Sequence, residues 1–138
     1  MKNVTIDKNN VHLVDNFIKN IGNSAGTFRY YSKRKPQEAI DNHIITLLLF
    51  DESYVGYGHL DKEDETVWLG ICVKEGATGK GYGKKIMQKL VNSYDGEITL
   101  SVDSSNKKAI NLYKSFSFLE TKKSPDIVYM KRAYNKNS

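Results

Sequence analysis

The spacing of apolar positions changes along this chain, and each change marks a different kind of element. Val11, Val14, Phe17, Ile18 and Ile21 recur at three- and four-residue intervals, which predicts an amphipathic helix closed near Gly22, after a short opening strand over Asn3 to Ile6. Residues 23–43 keep no period. They mix Phe28-Arg29-Tyr30-Tyr31 with the basic run Lys33-Arg34-Lys35-Pro36, and a short helix is expected after Pro36. Ile44 to Phe50, Tyr54 to Leu60 and Thr66 to Val73 then read as three strands. Asp51-Glu52-Ser53 and the polar stretch Asp61 to Glu65 supply the turns, so an antiparallel meander is predicted.

A different pattern follows. A glycine-rich loop precedes Ile86, Met87, Leu90, Val91 and Tyr94 on one helical face, and Asp95-Gly96 supplies a turn. Ile98, Leu100 and Val102 alternate with Thr99 and Ser101 as a strand does. Ser104-Ser105-Asn106 offers N-cap side chains to a helix carrying Ala109, Ile110, Leu112, Tyr113 and Phe116, and Ile127 to Arg132 is a closing strand. Because a helix joins the strands at 66–73 and 97–102, they should lie parallel with a right-handed crossover. The fold class expected is α/β with mixed α+β character: a central mixed sheet, an antiparallel meander and then a β-α-β-α unit.

Gly76, Gly79, Gly81 and Gly83 fall within Val73-Lys74-Glu75-Gly76-Ala77-Thr78-Gly79-Lys80-Gly81-Tyr82-Gly83, between a strand and a helix. Without Cβ atoms, backbone N–H groups can approach a pyrophosphate, and the helix adds its positive N-terminal end. Two other phosphate motifs fail. A G-x-G-x-x-G fingerprint from Gly79 needs glycine where Lys84 stands, and a P-loop needs Ser or Thr where Gly81 follows Gly79-Lys80.

On these residues the chain resembles the GCN5-related N-acetyltransferase family, whose acetyl-CoA motif is Gln/Arg-x-x-Gly-x-Gly/Ala, five residues after a strand-ending apolar position. Thr78-Gly79-Lys80-Gly81-Tyr82-Gly83 has that spacing from Val73, with Thr78 in place of Gln or Arg. The stretch Asn106-x-x-Ala109-x-x-Leu112-Tyr113-x-x-Phe116-Ser117-Phe118 is similar to the family's second conserved region, and the two motifs together cover about residues 66–118. The resemblance implies one N-acetyltransferase domain over 1–138 with helices on both faces of the sheet, acetyl-CoA as cosubstrate and no metal.

It also implies site residues. Thr78, Gly79, Lys80, Gly81, Tyr82, Gly83 and Lys84 would hold the pyrophosphate. Backbone groups of Ile71, Cys72 and Val73 would pair with the pantetheine arm, and Asn106 would contact the CoA arm while also suiting an N-cap. Tyr113 matches the general acid. A phenol with a pKa near 10 carries a proton at neutral pH without tuning. Cys72 reads as a small buried residue rather than a nucleophile. The base that family members carry on the strand equivalent to 66–73 is missing, since the inward candidates there are Val67 and Leu69. His59, with Asp61, Glu63, His43 or a water chain as alternatives, is the expected replacement, because an imidazole titrates near neutrality. Phe28, Arg29, Tyr30 and Lys33, with Arg34, occupy the region that lines the acceptor pocket in similar enzymes, which suggests an anionic or amino-sugar-nucleotide acceptor.

Length and composition narrow the function classes. The chain has 138 residues, 39% hydrophobic and 27% charged, with a mean hydropathy of −0.55. These values favour a globular domain over a membrane or disordered chain. A net charge of +5 favours anionic ligands, but lysines spread from Lys2 to Lys136 make nucleic acid a poor partner. The single cysteine excludes an intramolecular disulfide framework, and no apolar signal region follows Met1; both fit a cytoplasmic protein with no membrane partner. The expected function is acetyl transfer to a small primary amine by an enzyme that could form a homodimer. The rivals are a peptide or protein N-acetyltransferase and a non-catalytic acetyl-CoA-binding module.

Overall fold

The computed structural model describes residues 1–22 and 28–133; the expectation for 23–27 lies outside the described residues. Strands β1 (Lys2–Thr5), β2 (His43–Phe50), β3 (Tyr54–Glu63), β4 (Thr66–Val73), β5 (Ile98–Asp103), β6 (Leu119–Lys123) and β7 (Ile127–Arg132) form one sheet ordered β1-β2-β3-β4-β5-β7-β6. All neighbours run antiparallel except β4 and β5, which are parallel. The mixed sheet and the helices around it are those the apolar pattern predicts.

Alternation along β3 places helices on opposite faces. Gly56 and Gly58 turn toward α3 (Tyr82–Val91): a Cβ on Gly58 would come 2.5 Å from Ile86 Cγ2, so the helix lies directly on the strand backbone. Tyr57 turns the other way and stacks on Phe17 of α1 (His12–Lys19), ring centroids 6.5 Å apart. One core cluster gathers Ile86, Met87 and Leu90 with Ile110 and Tyr113 of α4 (Lys107–Ser115); the other gathers Val14, Phe17, Leu48, Tyr57 and Cys72. Since both faces of the central strands are buried, β2 to β4 are nearly apolar throughout. A short helix, α2 (Pro36–Ala39), follows Lys35 with proline in its first turn.

The structure differs from the sequence pattern in four places. The predicted turn over Asp61 to Glu65 is confined to Asp64 and Glu65, because Asp61, Lys62 and Glu63 continue β3 by pairing with Trp68, Val67 and Thr66. Strand β6 was not expected: its five residues are all exposed at the sheet edge, so no alternation betrays them. Helix α1 ends before Asn20, leaving the positive φ of Gly22 (+67°) to a loop rather than a C-cap. Helix α3 ends at Val91, so Tyr94 packs against the core from beyond it.

Candidate active site

Parallel β4 and β5 pair at one position, Trp68 opposite Thr99, and then part toward their C-terminal ends. Residues of both strands, Leu69 to Val73 and Ser101 to Asp103, line a cavity of about 850 Å³ in the opening. Backbone groups of Ile71 and Val73, which alternate with those bonded to β3 and would otherwise meet β5, therefore face the cavity, where an amide-bearing chain could pair with them as an added strand.

The glycine loop closes the far end of this cavity, contributing Ala77, Thr78, Gly79, Gly81, Tyr82, Gly83 and Lys84 to its wall. Gly79 and Gly81 both hold φ of +80°, a backbone that L side chains rarely adopt, and nothing lies within 4 Å of where their Cβ atoms would sit. Gly81 is also the N-cap of α3, with no side chain bonded to the first helical N–H groups. Space, positive helix end and free donors fit a pyrophosphate. Two loop residues have other tasks, and a third stands off the cavity. The side chain of Tyr82 is buried, its hydroxyl donating to Asp51 Oδ2 at 2.6 Å; a Cβ on Gly83 would press Leu112 Cδ2 at 3.1 Å; and Lys80 does not line the cavity.

Asn106 caps α4, its Oδ1 accepting the Ala109 N–H at 3.2 Å, and it also lines the cavity. Two turns on, Tyr113 reaches the same wall at 6% exposure, its ring tilted against Phe118. No hydrogen-bond partner for its hydroxyl occurs among the described residues. Burial raises the phenol above its usual value and nearby Cys72 adds to this, so Tyr113 carries its proton at any working pH. Burial likewise pushes the Cys72 thiol up to about 12, which leaves it an inert thiol rather than a nucleophile.

The acceptor end is built on the face that carries Tyr57, His59 and Asp61 of β3 and, opposite them, Cys72, Gly70 and Trp68 of β4. Val67 and Leu69, expected to face the chemistry, lie in the core cluster with α3, and of the two only Leu69 also borders the cavity. The β4 positions that share the face with Asp61 are Trp68 and Gly70, neither of them a base. Gly70 is needed because a Cβ there would come 2.5 Å from His59 Nε2.

Two hydrogen-bond strings organise this end. Tyr31 Oη lies 2.5 Å from Tyr57 Oη, which lies 2.6 Å from His59 Nδ1. In the second, the Tyr30 hydroxyl donates to Asp61 Oδ2 at 2.7 Å and so accepts from His43 Nε2 at 2.8 Å; His43 Nδ1 then accepts from the Thr46 hydroxyl at 2.7 Å. Burial drives His59 well below 6.5, with His43 and Arg34 adding to it, and lowers His43 to about 4. Both imidazoles are neutral at pH 7. An imidazole so depressed is a weaker proton acceptor than a free histidine, although His59 does line the cavity.

Depressed histidines make a stability prediction. Above pH 6.5 each is neutral folded or unfolded, whereas below it the unfolded chain takes up protons that the folded chain refuses. Stability should therefore fall as pH drops from 6.5 through about 4, by roughly 3 kcal/mol for His43 at about 1.4 kcal/mol per pKa unit. Urea midpoints at pH 7 and pH 4.5 should show a smaller loss in His43→Asn than in the parent chain; equal losses would contradict it.

The basic run keeps little free charge at the cavity. Arg29 Nη2 lies 3.1 Å from Asp103 Oδ1, and Arg34 lies 3.6 Å from Glu63 Oε1 with its guanidinium 4.2 Å from the Tyr30 ring centroid. Phe28, Arg29, Tyr30 and Arg34 line the cavity, but Lys33 is exposed and does not. Trp68, Asp103 and Lys108, which the sequence did not single out, complete the wall. Among the described residues, no three His, Cys, Asp or Glu side chains cluster to hold a metal ion, and no helix is long and apolar enough to cross a membrane.

Solved structures share this architecture. An acetyltransferase of the GNAT family from Streptococcus pneumoniae superposes with a TM-score of 0.77 at 16% identity, over 97% of this chain and 99% of the other. The PaiA N-acetyltransferase from Thermoplasma acidophilum, in complex with coenzyme A, gives 0.73 at 16% identity over 97% and 100%. A phosphinothricin acetyltransferase from Sinorhizobium meliloti, in complex with acetyl-CoA, gives 0.72 at 15% identity over 98% and 89%. Among curated proteins no sequence match was found. Residues 16–118, from α1 through the glycine loop to the turn after α4, match the acetyltransferase (GNAT) family, and the chain belongs to that family.

Proposed function

We propose that the protein transfers an acetyl group from acetyl-CoA directly to a small primary amine. The observation that carries this reading is the continuity of one cavity. It runs from the open N-terminus of α3, through the gap between β4 and β5 beside the Tyr113 hydroxyl, to the Asp61 end. Bound there, acetyl-CoA supplies a thioester carbonyl to the amine. Backbone groups around Thr78, Gly79 and Gly81 take the pyrophosphate, with Lys84 adding charge; Ile71, Cys72 and Val73 align the pantetheine arm, and Asn106 flanks it. Tyr113 gives its proton to the departing sulfur.

An anionic or nucleotide-linked acceptor loses most of its support, because Arg29 and Arg34 are paired with Asp103 and Glu63 and Lys33 stands off the cavity. Replacing Lys33 by glutamine should accordingly leave the KM of both substrates unchanged; a raised acceptor KM would restore a basic acceptor site. Thiol release from acetyl-CoA across primary amines, amino sugars and peptides tests the reading itself. Turnover with small amines supports it, turnover confined to peptides moves the acceptor to a protein terminus, and release with none of them overturns catalysis.

A further inference from the structure

We propose that Asp61 is the acceptor-amine residue: its inner oxygen receives the substrate's ammonium group and takes the proton the nitrogen must lose before it attacks. The substrate is then a cationic primary amine. This rests on the reading of the cavity as an acetyl-transfer site and assigns its acceptor.

The two oxygens of Asp61 have different surroundings. The residue is 2% exposed and sits near the end of β3, on the cavity wall. Oδ2 accepts the Tyr30 hydroxyl, which His43 and Thr46 hold from behind. Oδ1 is buried and has no partner among the described residues. A buried acceptor left unsatisfied costs about 1–3 kcal/mol, and more when charged, so a fold that otherwise satisfies this cluster leaves a site for a donor there.

The neighbourhood selects the donor. Arg34 is engaged with Glu63 and the Tyr30 ring, and Arg29 with Asp103, and among the described residues no ion pair reaches Asp61. His43 and His59 are held neutral by burial and bring no competing cation. Tyr30, whose hydroxyl bonds the carboxyl group, and Trp68, the β4 partner of Asp61, line the same cavity as Asp61. A carboxyl oxygen in a wall that also carries aromatic side chains suits an ammonium and disfavours a phosphate or carboxylate.

Protons and bonds balance. One of the three ammonium protons passes to Asp61 Oδ1, and the freed nitrogen pair forms the bond to the carbonyl carbon. The carbon–sulfur bond breaks with its electrons on sulfur, which takes the Tyr113 proton. A second nitrogen proton restores Tyr113, the third stays on the amide, and Asp61 returns its proton to solvent through the cavity.

The test uses butylamine, with 1-butanol as its uncharged counterpart, and the full chain. In the unmutated protein saturated with CoA, the Asp61 side-chain carboxyl carbon resonance should shift on adding butylamine at pH 7 and stay fixed with 1-butanol. This readout needs neither turnover nor a variant, so it separates the Asp61 assignment from the acetyl-transfer reading, which fails on its own if no amine is acetylated. In Asp61→Asn, acetylation of butylamine at pH 7 should drop about 100-fold with acetyl-CoA affinity retained, general-base terms being about 10²–10⁴. The deficit should close toward pH 10, where the amine sheds its proton unaided. An unmoved Asp61 resonance overturns the assignment, as does a deficit of constant size across pH, which marks a merely structural residue.

Discussion

Tyr113→Phe should lower kcat by about 10²–10⁴ with little change in acetyl-CoA affinity or in stability. The expectation follows from what the hydroxyl does and does not touch. It accepts and donates no hydrogen bond among the described residues, while the ring beneath it is 6% exposed and lies against Phe118. Phenylalanine keeps that packing and deletes the proton. Because burial raises the phenol above its usual value, the loss should have the same size from pH 6 to pH 9, rather than shrinking toward high pH as it would for an acid titrating in that range. Steady-state and single-turnover rates for the best amine check it. If the variant keeps full kcat where chemistry limits turnover, Tyr113 is a packing residue.

Gly81→Val should cost at least 100-fold in acetyl-CoA affinity. Two effects combine: a β-branched side chain at φ +80° strains the backbone, and its methyl groups fill the space in front of the α3 N–H groups. Gly76→Val separates them. Gly76 holds φ of +85° with equally open surroundings, yet it does not line the cavity. Both variants should lose similar stability, and calorimetry should show weakened acetyl-CoA binding in Gly81→Val alone. Equal affinities in the two would reduce the loop glycines to conformational hinges.

The glycine-loop end of the cavity was legible in the sequence because its signals are local. The loop glycines, the helix after them and Asn106 before α4 lie within a few residues of the backbone they shape, and the structure places them around one cavity. The acceptor end was not, since it is made by pairings between distant segments. Asp61 reads as the start of a polar turn, and only its pairing with Trp68 keeps it in β3 and buries it. Val67 and Leu69 were rightly read as inward. With both sheet faces covered, however, alternation does not say which buried face holds the chemistry, and theirs is the one under α3. Arg29 looked like a free cation because its partner, Asp103, is 74 residues away.

The proposed place for acetyl-CoA is the opening between β4 and β5 together with the α3 N-terminus. Amide hydrogen exchange with and without acetyl-CoA tests this most directly, residue by residue. The amides of Ile71 and Val73 and those from Gly79 to Gly83 should exchange more slowly in the complex, while those of β6 at the sheet edge stay unchanged. Unaltered exchange at the glycine loop and along β4 at saturating acetyl-CoA would contradict it.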